Sequence, residues 1–181
     1  MFKIFKRKKL DEQLVSRLFV NRLLEIIDEG FGEVAEAINE APEFVKSPEI
    51  SRKDSQKFLF ITLAGNLLLI PRFLPAHADN KLTNSILDEL SLVFQTEKKK
   101  IHQLINNYQS FLSKVNHPSD NILYGMSKSI FYKYELATFQ EDYFRNMNAP
   151  NPLLLKRLDE VVEHFIFDWR DFFNFGMFMN C

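Results

Sequence analysis

The chain has 181 residues, 46% of them hydrophobic and 26% charged, with a formal net charge of −1. Those proportions describe a globular chain able to bury one substantial core and exclude wholesale disorder. Five glycines argue against Gly-rich phosphate loops, and a single cysteine, Cys181, leaves no intramolecular disulfide and no cysteine-based zinc site.

The near-zero charge hides an asymmetry. Residues 1–9 hold Lys3, Lys6, Arg7, Lys8 and Lys9 and no acid, so the rest of the chain carries 18 basic against 24 acidic side chains. A body of that sign repels a phosphate backbone, which disfavours nucleic acid as a partner. The basic start is not followed by an apolar h-region, so it does not read as a secretory signal; with the lone cysteine, this leads us to expect a cytoplasmic protein. Phe2, Ile4 and Phe5 among five cations offer weak contact with an anionic membrane surface, at about 1 kcal/mol per basic residue.

In chain order, residues 10–29 read as a first helix, with Leu14, Leu18, Phe19, Leu23 and Ile27 in a broad apolar arc. Gly30 and Gly32 are expected to interrupt it before a short helix over residues 33–40, stopped ahead of Pro42. Residues 41–53 read as a surface connection. A helix starting at Asp54 or Ser55 runs to Ile70, before Pro71. Its charge-free run, residues 58–70, falls short of the ~20 residues a membrane span needs and suits a helix buried on all sides.

Leu87, Leu90, Phe94, Ile101, Leu104, Tyr108, Phe111 and Val115 keep a 3,4 alternation interrupted only at Glu97. Side chains three and four apart lie over one another on a helix. The register favours one helix over residues 81–114, roughly 50 Å long at 1.5 Å per residue, although the polar run 95–100 also permits a break near Thr96. So long a stripe could meet a second copy of the chain; the simpler expectation is that the first, fifth and sixth helices cover it.

Ser119 or Asp120 can cap a fifth helix reaching Phe144. Asn151 followed by Pro152 starts a sixth, running to about residue 174. The expected fold is an all-α, single-domain bundle of about six helices with one long central helix. Residues 1–9 form a tail and residues 10–181 the domain.

Chemistry is sparse. No histidine stands three residues after a glutamate, so the Glu-x-x-His pairs of di-iron bundles are absent, and no cofactor motif occurs. Glu160, His164, Asp168 and Asp171 would share one side of a continuous sixth helix, opposite its apolar face and therefore in water. No nucleophile elbow, P-loop or zincin motif is present, which points away from an enzyme.

The expected activity is non-catalytic binding of a protein partner or a second copy, as an adaptor, regulator or assembly subunit. The candidate contacts are Ile101, Leu104 and Tyr108 on the heptad face and Phe175 and Phe178 in the apolar C-terminus. The alternative is an apolar small molecule or lipid in a pocket beside the 54–70 helix, where Asn66 and Arg72 would orient a polar head.

Overall fold

A computed structural model describes residues 11–178, with side chains through residue 174. It is an all-α bundle of helices α1 (Glu12–Asn39), α2 (Ser55–Leu69), α3 (Ala76–Val93), α4 (Lys98–Asn116), α5 (Ile122–Lys133), α6 (Asp142–Met147), α7 (Pro152–Val162) and α8 (Trp169–Phe178), with short 3-10 turns between several of them. No helix among the described residues is long and apolar enough to cross a membrane. The basic segment, residues 1–9, lies outside the described residues.

The central element is α2. Residues 58 and 60–67 are all buried, because α1, α4 and α5 each pack against a different side of the helix. A helix enclosed in this way needs no polar face, which explains its charge-free sequence.

The first helix runs through both glycines to Asn39 without interruption. Their role is close approach. A Cβ at Gly30 would sit 3.0 Å from the Phe165 ring, and one at Gly32 would lie 2.9 Å from the Arg52 guanidinium. Asp11 caps the start by accepting from Leu14 N–H, and Asn39 ties the following loop through two 2.8 Å bonds to the backbone of Ile50. These contacts recover the cost of about 1 kcal/mol that each helical glycine carries.

The expected long helix is two helices. After Val93 the chain closes a Schellman turn: Thr96 N–H donates to Ser91 O at 3.1 Å and Gln95 N–H to Leu92 O at 3.3 Å, with Gln95 in the left-handed region at φ 49°. Glu97 then starts α4, and Lys98 pairs back with Asp88 at 2.7 Å. The two helices therefore pack against each other, α3 also lying on α1 and α4 on α2 and α5. As expected, the first and fifth helices cover much of the stripe, α1 on its α3 half and α5 on its α4 half; α2 supplies the rest on α4, where the sixth helix had been expected.

The expected fifth and sixth helices also divide. The fifth starts from Asn121, two residues later than Ser119, with Asn121 capping Tyr124 N–H, and it stops at Lys133. There Glu135 turns left-handed, at φ 56°, and the Tyr134 hydroxyl donates to Asp54 O at 2.6 Å while accepting from Phe58 N–H at 3.1 Å. Burial pushes that phenol well above its usual pKa. The sixth begins as expected, Asn151 accepting from Leu153 N–H ahead of Pro152. It leaves the helical path after Val162 and resumes at Trp169.

Candidate functional site

On α4 the fully buried positions are Ile101, Ile105, Leu112 and Asn116. Ile101 is 3% exposed, and Leu104 and Tyr108 are half-buried against the core. The Tyr108 ring lies 5.6 Å from that of Phe60 on α2, and burial raises its phenol pKa. The heptad face therefore fastens α4 to α2 and leaves little apolar surface for another chain. Phe175 and Phe178 fall on the last turns of α8, and their side chains lie outside the described residues.

Asn66 and Arg72 do not share a pocket. Asn66 is fully buried and its amide is saturated: Nδ2 donates to Thr62 O and Phe165 O, both at 2.9 Å, and Oδ1 accepts from Phe167 N–H at 2.8 Å. Its backbone carbonyl accepts the indole N–H of Trp169, also at 2.9 Å. This amide supplies hydrogen-bond partners to the backbone where helix geometry ends after α7. It also sets Trp169 into the core, 4.6 Å from the Phe19 ring.

Arg72 is exposed and donates to Asp120 O at 3.0 Å. It lines a recess of about 310 Å³ between the end of α2, the end of α4 and the start of α5, walled by Leu68, Leu112 and Ile122. The amide at this recess is that of Asn116, whose Nδ2 donates to Asn121 O and whose Oδ1 is buried without a partner.

The break after α7 also dissolves the helical side on which Glu160, His164, Asp168 and Asp171 were expected. Asp168 pairs with Arg170 at 2.6 Å, and the Arg170 guanidinium holds its carboxyl below the usual range. Among the described residues, no group of three or more His, Cys, Asp or Glu side chains could hold a metal ion.

The most varied chemistry lies in a groove of about 410 Å³ between α5 and α7. Tyr124, Lys128 and Tyr132, four residues apart and thus on one face of α5, form one wall; Leu155, Lys156 and Asp159 of α7 form the other. The Lys128 ammonium lies 4.4 Å from the centre of the Tyr124 ring. The end of the groove at Ala149, Pro150 and Pro152 is held by the fully buried Gln140, whose Nε2 donates to Ala149 O and whose Oε1 accepts from Asn151 N–H. Burial raises the carboxyl pKa of Asp159. The facing Ser127 hydroxyl offsets this only in part, and no hydrogen bond of ordinary length closes: Ser127 Oγ and Asp159 Oδ1 are both buried without a partner. Sequence reasoning passed over these residues. The signal was the Tyr–Lys–Tyr spacing at 124, 128 and 132, which puts two rings and a cation on one helix face.

Large apolar side chains are exposed elsewhere, among them three within residues 143–153. Tyr143 and Met147 stand one turn apart on α6, 67% and 58% exposed, and Leu153 in the first turn of α7 is 65% exposed. No residue of α6 is buried.

Compared with known proteins, the chain matches no family model, no curated sequence and no solved structure at a significant level.

Proposed function

We propose that the chain is a non-catalytic protein-binding module, an adaptor, regulator or assembly subunit, that docks through α6 and the first turn of α7. The exposure of Tyr143, Met147 and Leu153 within residues 143–153 is the observation that supports this reading. Single exposed apolar side chains are ordinary, but three large ones so close in sequence suit a contact surface. Covering each would contribute about 1.5–3 kcal/mol, and the Gln140 hydrogen bonds that fix the α6–α7 connection reduce the ordering cost of docking.

The test compares the full chain with a Tyr143→Ser, Met147→Ser, Leu153→Ser variant, by light scattering over a range of concentrations and by affinity capture. A dimer or a captured protein that the parent holds and the variant releases, with circular dichroism unchanged, supports the proposal. Equal behaviour of the two chains overturns it.

A second reading, binding of an apolar small molecule or lipid beside α2, is supported by the recess at Arg72. Leu68, Leu112 and Ile122 suit a short apolar chain, and Arg72 is the cation that would meet an acidic head, with Asp120 beside it favouring a polar head that also donates. Native mass spectrometry with added fatty acid should give a saturable adduct that Arg72→Ala weakens; no adduct overturns this reading.

A further inference from the structure

We propose that the groove between α5 and α7 is a binding site for a small amino-acid-like zwitterion with an apolar side chain. Such a ligand needs an acid for its ammonium, a cation for its carboxylate and an apolar seat between them. Asp159 on α7 provides the first, Lys156 one turn before it and Lys128 across the groove provide the second, and Leu155 with the Tyr124 ring provides the third.

Three observations carry the assignment. No ion pair joins Asp159 to either lysine, so charges of both signs line one groove without cancelling each other in contact. A ligand that is itself a separated charge pair meets both, whereas a simple anion or cation would meet one and be repelled by the other. Asp159 lines the groove without an ion pair or hydrogen bond of its own among the described residues; its Oδ1 is buried towards the Ser127 hydroxyl, which leaves Oδ2 to meet a donor in the groove. An ammonium there would form a charge-assisted bond. Finally, the groove volume of about 410 Å³ falls within the range of roughly 300–1,000 Å³ typical of small-molecule sites. This site is separate from the exposed apolar side chains of α6, and its failure would leave the protein-binding proposal standing.

The experiment is an NMR titration of the full chain with L-phenylalanine and L-leucine, with N-acetyl-L-phenylalanine and phenethylamine as probes that lack the ammonium and the carboxylate respectively. The expected result is saturable shifts at α5 and α7 with a Kd of roughly 1 mM or tighter, and a loss of about tenfold or more for each truncated probe. Asp159→Asn should weaken L-phenylalanine while leaving N-acetyl-L-phenylalanine unchanged. Lys156→Ala, at an exposed position that does not threaten folding, should weaken L-phenylalanine while leaving phenethylamine unchanged. The proposal is overturned if neither amino acid gives saturable shifts in the groove by about 20 mM. Equal binding of the truncated probes, or variants that weaken all probes alike, overturns it as well.

Discussion

The backbone N–H of Phe167 donates to the side-chain oxygen of Asn66 at 2.8 Å, across 101 residues of chain. Through this bond and the Nδ2 bond to Phe165 O, an amide on the central helix takes over backbone pairing that α7 gives up. Replacing Asn66 by Leu leaves the buried carbonyl of Phe165 and the partly buried N–H of Phe167 without these partners. At about 1–3 kcal/mol for each orphaned group, the variant should lose roughly 3 kcal/mol or more. Urea denaturation should show this as a lower midpoint; a loss under about 1 kcal/mol would mean that the segment finds other partners.

Gln95 holds a left-handed conformation that costs an L-residue about 1–2 kcal/mol and glycine almost nothing. After the entropy that glycine loses on folding, Gln95→Gly should gain about 0.5–1 kcal/mol and raise Tm by a few degrees. Gln95→Val, β-branched at the same φ, should lower it. A Gln95→Gly variant that melts below the parent would show that the turn is held by something other than the Schellman bonds.

Gly65 and Met126 are packed so closely that a methyl group at position 65 would overlap the methionine side chain. Gly65→Ala should therefore destabilise by about 1–3 kcal/mol through overpacking, despite the better helix propensity of alanine. Combined with Met126→Ala, which leaves a cavity on its own, the two changes should cost less than the sum of the single effects. A double-mutant cycle that closes to additivity would refute the contact.

Asp159 makes the stability depend on pH in an unusual direction for an acid. Its carboxyl pKa is raised in the folded chain, chiefly by burial, so the folded state holds the proton more tightly than the unfolded state does. The stabilising contribution of that proton is complete below the unfolded value of 3.8 and is lost as pH rises through the folded pKa. Asp159→Asn should accordingly be more stable than the parent at pH 7, with the advantage shrinking below pH 3.8. Chemical denaturation at both values checks this. An advantage independent of pH would assign the effect to packing instead.

Much of the architecture was legible from spacing and end signals. Asn151 before Pro152 capped a helix where expected, Pro71 closed the central helix, and its charge-free run marked burial on all sides. The candidate sites were far less legible. Ile101, Leu104 and Tyr108 satisfy a heptad, yet a stripe records only that a face is covered, and here the cover is α2. Asn66 looked like a polar group at a pocket because a sequence does not show that Phe165, Phe167 and Trp169 return to meet it.

What the sequence determined by itself was the helical class, most helix starts and the apolar faces, because propensity, caps and periodicity act between residues a few positions apart. Where several of the helices break was decided by tertiary structure. Gly30 and Gly32 did not end α1, because Phe165 and Arg52 close on them. The stripe broke at Gln95 because folding α4 back onto α2 buries more than a straight helix exposed at one end would. The chain left helix geometry after Val162 because Asn66 supplied the lost hydrogen bonds and the core took Trp169 in return. Each of these outcomes depends on partners that only the folded chain brings together, and local preferences of about 1 kcal/mol yield to them.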